Sequence, residues 1–472
     1  MKLIPHLHYC RIGIVILMVG ITFWLPIVAK AQTAPAVWTS AELLFDATSG
    51  WGEHHALAAD PFGFVHLVWE HNASATSSSS RDFRLGETMF NYSRWDGDEW
   101  SAPVDILFGD ISTPRITADG SGRLHAIFAN GQCTSHSWAW IQDANTARGW
   151  SAPQCIGLRG LNLAFTIDAA GVLHVLVAQP EQLLYLQSKD GGSTWRDPIK
   201  VTENPQNATD TPGIAVGAQG VIHAVWSQAQ LPEGVPYLGI YYSHSFDEGA
   251  TWAPARTLIE GNYRDPAIAT SGQQVYVVWN SGVTEGRRFL ARSTDEGRQW
   301  APPVVIVEAM GGWLWHPGIA VDSAGSVHIV TAQGAGALYT VAAPEGNTSL
   351  PVQLFDPNQQ TAAPYVAASH GNRLLTVFRG PNASLYYALG KASAPEVPPN
   401  PLPDLEVTVA AETQAAPSIA QPTPTSVTRA TLPAMSVGTP QQSFQTTPLI
   451  FGMLPVIILV VGVVLFNLRR HR

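Results

Sequence analysis

Along most of the chain, apolar residues alternate with polar ones in short runs, each closed by Gly, Pro, Asp or Ser. A period of two is the spacing of a strand with one buried face, and the closing clusters are turn chemistry. Val, Ile and Trp dominate these runs, and frequent Gly and Pro exclude a helical repeat. The alternation itself repeats. One unit, an apolar strand, a small-residue turn and a second strand carrying His, appears as AADPFGFVHLVW (58–69), TADGSGRLHAIF (117–128), TIDAAGVLHVLV (166–177) and AVGAQGVIHAVW (215–226). It continues as ATSGQQVYVVW (269–279), AVDSAGSVHIVT (320–331) and ASHGNRLLTVF (368–378). The equivalent positions are His66, His125, His174, His223, Tyr276, His328 and Leu375, at steps of 59, 49, 49, 53, 52 and 47 residues.

Most units go on to a third strand and a segment led by Trp100, Trp150, Trp195, Trp252 or Trp300, read as the start of a fourth strand. Four short strands per repeat of roughly 40–60 residues predict an all-β fold, a β-propeller. Seven strand pairs are present, but the seventh lacks a fourth strand, while Trp38–Phe45 resembles a fourth strand with no blade before it. Ring closure reconciles the two: Trp38–Phe45 completes blade seven, which removes exposed strand edges. Six blades, with one irregular unit, is the alternative.

Three turns share the pattern S-x-D-x-G-x-x-W: Ser188, Asp190, Gly192, Trp195; Ser245, Asp247, Gly249, Trp252; and Ser293, Asp295, Gly297, Trp300. Each falls between the third and fourth strands of its unit. Asp accepts backbone N–H groups, Gly permits an unusual φ, and Trp packs back between strands. Copies at equivalent places round a ring cannot all face one ligand, so these residues, like the repeated histidines, are read as scaffold.

S-x-D-x-G-x-x-W on four-stranded repeats resembles the Asp-box (BNR-repeat) propellers of the sialidase superfamily, over most of Trp38–Lys391. That resemblance implies a propeller whose relatives include sialidases, other glycosidases and non-catalytic binding modules. A sialidase would need three arginines against a substrate carboxylate, a Tyr nucleophile activated by Glu, and an acidic proton donor. The nearest matches are Arg115, Arg264 and Arg379, with Tyr263 or Tyr365, Asp265 and Glu70 in the remaining roles. Family sialidases are six-bladed, so a seventh blade displaces every inward residue.

The unrepeated residues at strand entries carry the candidate chemistry. Trp51, Trp313, Trp315 and His316 are candidates for sugar binding, with His54, His55 and His71 nearby. Aromatic faces stack on sugar rings and Arg pairs bidentately with carboxylates; the alternative is that the aromatics plug the central channel. Three readings follow: a glycoside hydrolase of exo-α-sialidase type, a glycan-binding or adhesion module without turnover, and a platform for a partner protein. No cofactor and no metal site is expected, because G-x-S-x-G, H-E-x-x-H, P-loop and Cys/His signatures are absent from the sequence.

Composition places the chain in a compartment. Residues 1–31 read as a signal peptide, 32–391 as the propeller ectodomain, and 392–447 as a disordered stalk rich in Pro, Thr and Ser. Residues 448–468 read as a transmembrane helix and 469–472 as a basic cytoplasmic tail. The expected protein is therefore a monomer anchored in the cell membrane, ectodomain outside, with an extracellular glycan or glycoconjugate as partner. A net charge of −10 and 13% charged residues argue against nucleic acid. Cys133 and Cys155 remain after the leader and are expected to form a disulfide, two free thiols being the alternative.

Overall fold

Period-two patterning becomes seven antiparallel sheets arranged as a closed ring, in a computed structural model that describes residues 33–403 apart from 47–53, 73–87, 161, 205, 232–235, 283–284, 309–314, 333–335 and 357–358. The expected leader, anchor helix and basic tail lie outside the described residues, as do most of the stalk, Trp51 and Trp313. No helix among the described residues is long and apolar enough to cross a membrane.

From the axis outward, blade 1 holds His55–Ala59, Val65–Asn72, Thr88–Trp95 and Val104–Gly109. Blade 2 holds Ser112–Ala118, Arg123–Ala129, Thr134–Trp140 and Gln154–Cys155. Blade 3 follows with Asn162–Ile167, Leu173–Gln179, Gln182–Ser188 and Ile199–Glu203, and blade 4 with Asn207–Val216, Ile222–Gln230, Tyr237–Ser245 and Arg256–Glu260. Blade 5 is Tyr263–Ser271, Gln274–Ser281, Arg288–Ser293 and Val304–Val307. Blade 6 is Gly318–Val321, Val327–Ala332, Ala337–Ala342 and Val352–Gln353. Blade 7 contributes Ala362–Ser369, Arg373–Arg379 and Leu385–Lys391. Val37–Trp38 and Glu42–Phe45 then pair with Leu385–Lys391, Val37 opposite Lys391 and Glu42 opposite Tyr387. The N-terminal segment closes the seventh blade, and the six-bladed alternative is excluded.

The core lies between blades. Seven apolar clusters among the described residues each draw on two neighbouring sheets, such as Phe90, Tyr92 and Ile106 of blade 1 with Leu124, Ala126 and Phe128 of blade 2. A sheet buried on both faces needs apolar residues at both parities, which explains why second strands such as VHLVW are almost continuously apolar. Each fully buried Val, Leu or Ile contributes about 1.5–3 kcal/mol relative to exposure.

The repeated polar residues brace this ring. In blade 1 the Asp60 carboxylate accepts from His66 Nε2 at 2.9 Å, and His66 Nδ1 accepts from the Tyr92 hydroxyl at 2.8 Å. Tyr92 meets the edge of Trp150 in the next blade at 5.6 Å. The His–Tyr–Trp part recurs through His174, Tyr185 and Trp252, through His223, Tyr242 and Trp300, and through His328, Tyr339 and Trp38, with Asp322 completing the relay at His328 and Gly217 standing where His223 would find an aspartate. The tryptophans do not open the outer strands as the sequence suggests: Trp195, Trp252 and Trp300 sit in the turns ahead of Ile199–Glu203, Arg256–Glu260 and Val304–Val307. Their work is inter-blade packing.

Each S-x-D-x-G-x-x-W turn is tied internally. Ser293 Oγ donates to Asp295 Oδ1 at 2.8 Å, while Gly297 N donates to Ser293 Oγ at 2.9 Å and Gln299 N to Asp295 Oδ1 at 2.8 Å. Gly297 has φ +80°, and a Cβ there would lie 1.8 Å from the Tyr242 hydroxyl. Glycine is required by both conformation and space.

Blade 2 is stapled differently. Its outer strand is only Gln154–Cys155, and a disulfide joins Cys155 to Cys133, with 5.9 Å between Cα atoms. In the chain-entropy model such a loop contributes on the order of 3 kcal/mol.

After Lys391 the Pro-rich segment, expected to leave the domain as stalk, instead crosses the turns that end the first strands. Ser323 Oγ donates to Pro395 O at 2.5 Å, Val397 N to His370 O at 2.8 Å, and Asn400 N to Pro61 O at 2.8 Å. Gln142 Nε2 donates to Pro403 O at 3.0 Å. This strap spans blades 6, 7, 1 and 2, on the face opposite the entries of the first strands.

Candidate functional site

The strand entries converge on the axis, and their geometry starts from proline. Thr113-Pro114, Thr211-Pro212, Asp265-Pro266 and Ala363-Pro364 each sit at a register shift between first and second strands. Proline removes a ladder donor and restricts the residue before it, so it is accommodated at a bulge. The residue before each proline takes a left-handed φ: +48° at Thr113, +40° at Thr211, +54° at Asp265 and +44° at Ala363. For a β-branched Thr this is strained backbone. The bulge swings side chains out of the sheet and towards the channel. His316-Pro317 enters blade 6 in a related way, without the positive φ.

These bulges build a cavity of about 340 Å³ at the mouth of the channel, lined by His54, His55, Thr113, Arg115, Asn162, Thr211, Arg264, Asp265, Trp315, His316, Ala363 and Tyr365. All seven blades contribute. Of the candidate residues, Arg115, Arg264, Asp265, Trp315 and His316 line it. Tyr365 does so in preference to Tyr263, whose ring packs on Phe289 at 5.4 Å inside blade 5. Arg379 is not among the lining residues; its guanidinium carbon stacks 4.9 Å from the Trp315 ring centre. Glu70 lies in an adjoining recess with Phe45, Trp69 and His71.

The two lining arginines differ. Arg264 Nε is 3.1 Å from Asp265 Oδ2, and Asn280 Nδ2 donates to the same oxygen at 3.1 Å. Asp265 is only 9% exposed, and burial raises its pKa against the opposing pull of Arg264. Behind it Arg288 is fully buried, donates to Ala332 O at 2.9 Å, and is pushed down to about 9 by burial. Arg115, by contrast, donates to the carbonyl of Pro114 at 2.8 Å and has no carboxylate partner among the described residues.

Histidines provide the other polar wall. His54 Nδ1 is 2.8 Å from Glu70 Oε1, a pairing in which the ring N–H donates to the carboxylate. His55 donates from Nε2 to Val377 O at 3.3 Å and meets the edge of Tyr365 at 5.1 Å. Burial pushes His55 down to about 3 and His316 down to about 4, so both are neutral hydrogen-bonding groups near neutrality. A further pair sits beside the lining: the Tyr237 hydroxyl donates to Asp210 Oδ2 at 2.9 Å, and Asn162 Nδ2 to Asp210 Oδ1 at 2.6 Å. Burial first, then Asp210, raises the Tyr237 hydroxyl far above its ordinary value, which makes it a donor and a poor nucleophile.

Asn162, Thr113, Thr211, Asp210 and Tyr237 were not among the sequence candidates. The signal for Thr113 and Thr211 was present in the recurrent X-Pro step at five strand entries. Nothing comparable marks Asp210 or Tyr237, whose meeting depends on the fold.

No protein-family profile matches the chain, and no curated protein matches it. Solved structures do. An ulvan lyase of a new polysaccharide lyase family aligns with TM-score 0.52 and 10% identity over 77% of this chain and 96% of that one. The Hadza microbial sialidase Hz136 gives 0.41 and 13% over 66% and 74%. An α-L-arabinanase of Penicillium chrysogenum gives 0.44 and 14% over 60% and 93%. At such identities the likeness is one of architecture: the chain is a seven-bladed β-propeller whose structural neighbours include a lyase, a sialidase and an arabinanase.

Proposed function

We propose that the protein is a surface-anchored propeller that recognises an extracellular glycan in the axial cavity. The observation that carries this is the collection of unrepeated Arg115, Trp315, Tyr365 and three histidines in one cavity, while the repeated polar residues serve the scaffold. An aromatic face beside a cation and neutral hydrogen-bonding groups is the chemistry that sugar recognition uses. The disulfide and the expected leader and anchor support an extracellular address. An ulvan lyase shares the fold at 10% identity, which supports the reading at the level of architecture only.

Membership of the Asp-box superfamily, and exo-α-sialidase activity with it, is the second reading. In its favour Arg115 and Arg264 share the cavity. Tyr365 lines the same cavity in place of Tyr263; against it, Arg379 is not among the lining residues and stacks on Trp315, and Glu70 is bound to His54 in place of a tyrosine. The geometry therefore favours binding over hydrolysis. A glycan panel presented to the full-length chain tests the first reading: binding is expected, and Trp315→Ala is expected to weaken it roughly tenfold. Release from a fluorogenic sialoside that is abolished by Arg115→Ala would favour the second.

A further inference from the structure

We propose that Thr113 is the residue through which the axial cavity recognises a neutral hydroxyl group of its sugar. The inference deepens the glycan-binding reading and rests on it. Its first support is a comparison of the four X-Pro bulges, which place Thr113, Thr211, Asp265 and Ala363 at equivalent positions in blades 2, 4, 5 and 7. The residue before each bulge lies opposite a second-strand residue: Ser112 opposite Ala129, Asp210 opposite Ser227, Arg264 opposite Asn280 and Ala362 opposite Arg379. In blades 4 and 5 that second-strand residue satisfies the bulged side chain. Thr211 Oγ1 shares a hydrogen bond with Ser227 Oγ at 2.7 Å, and Asn280 Nδ2 donates to Asp265 Oδ2 at 3.1 Å. In blade 7 Ala363 has no polar side-chain atom, and Arg379 stacks on Trp315.

Blade 2 breaks this pairing. Ala129 stands where Ser227 stands in blade 4 and offers the bulge no polar side-chain atom. Thr113 lines the cavity, is 8% exposed, and its hydroxyl has no hydrogen-bond partner among the described residues. A covered hydroxyl without a partner is destabilising, and a β-branched residue at a φ of +48° adds backbone strain. The bulge itself demands neither, because Ala363 holds the same turn in blade 7 at a φ of +44°. Both penalties sit at the cavity wall, where a ligand can offset them.

The chemistry of the threonine selects the ligand group. With Ala129 opposite, its donor and its acceptor positions are both unspent. A sugar hydroxyl, itself a donor and an acceptor, uses both, whereas an anion would use the donor alone. A rotation between staggered positions about the Cα–Cβ bond suffices to turn the covered hydroxyl towards a ligand at the wall. Other polar groups of the same wall already bond within the protein: Thr211 to Ser227, Asp265 to Asn280, and Asn162 Nδ2 to Asp210 Oδ1 at 2.6 Å. Thr113 is therefore the wall residue with a hydroxyl still to be satisfied, and it determines which sugar is held by a hydroxyl at blade 2.

The test is titration calorimetry of the full-length chain in detergent, with the methyl glycosides of galactose, glucose and mannose and the monodeoxy analogues of whichever binds tightest. One deoxy analogue is expected to bind the unmodified chain about tenfold more weakly than its parent. Thr113→Val keeps the shape and the β-branch; it should bind the parent about tenfold more weakly and no longer distinguish it from that analogue. Thr113→Ser should keep the discrimination. The thermal midpoint of Thr113→Val should be unchanged or raised, because no hydrogen bond is lost, whereas Thr211→Val loses its bond to Ser227 and should melt lower. A lowered midpoint, an unchanged affinity or a surviving discrimination in Thr113→Val each overturns the proposal, while the glycan reading stands wherever a parent glycoside binds. Binding of none of the glycosides removes both.

Discussion

At the scale of single residues, the structure separates side chains that hold the ring from side chains that face its cavity, and the two respond differently to substitution. Gly297 stands against Tyr242 at a φ of +80°, whereas Gly220 has a similar φ of +77° and open space beyond it. Gly220→Ala should therefore cost about 1 kcal/mol from backbone conformation alone. Gly297→Ala should cost several times that, because Tyr242 must move and its contact with Trp300 goes with it. Thermal midpoints of the two variants check the difference, and equal losses would contradict the packing role given to the turn. The arginines divide the same way. Arg264→Ala removes the larger of the two cationic influences on buried Asp265, leaving Arg288, and should destabilise the fold towards the low end of about 3–5 kcal/mol. Arg115→Ala, with no carboxylate to strand, should leave the midpoint nearly unchanged. Arg264 is consequently a poor control for any activity assay, and Arg115 a clean one.

Blades, ring closure and turns were legible in the sequence because they repeat: a step near fifty residues survives the loss of His at Tyr276 and Leu375 or of an aspartate at Gly217. The cavity was only partly legible. Arg115, Arg264, Asp265, Trp315 and His316 stood out by chemical type, but Tyr263 was misplaced because a bulge at Asp265-Pro266 turns its neighbours, and a one-residue change of parity reverses which face a side chain occupies. The Glu70–His54 contact joins the second strand to the entry of the first and follows from register, which alternation alone does not fix. Composition reads the strap as stalk because it registers polarity and proline content, while the backbone hydrogen bonds to Pro61 and His370 register only in three dimensions. Those bonds give a prediction: a chain ending at Lys391 should melt several degrees below one ending at Pro403. Equal midpoints would mean the strap rests on the turns without stabilising them.

For the whole molecule, the histidines make the ring sensitive to acid. His136 and His223 are pushed down to about 3 by burial, as is His55, and His66 and His174 are lowered by burial as well. The unfolded chain binds protons at these groups near the ordinary histidine value of about 6.5, before the folded one does. Their contribution to stability is therefore complete above that pH and is lost as pH falls towards 3. Each of the three lowest contributes about 1.4 kcal/mol per pH unit across that window. Thermal midpoints should fall steeply between about pH 6 and pH 4; a flat profile would show that the relays accommodate charge.

The central claim is that ligand recognition occurs where the seven first strands begin, on the face away from the strap. Hydrogen–deuterium exchange of the full-length chain, with and without the tightest ligand from a glycan panel, addresses it directly. Protection is expected at the strand entries around His54, Arg115, Arg264 and Trp315, and not at the strap or the Asp295 turn. Protection confined to the strap face or the outer strands, or the absence of any binding glycan, would contradict the account.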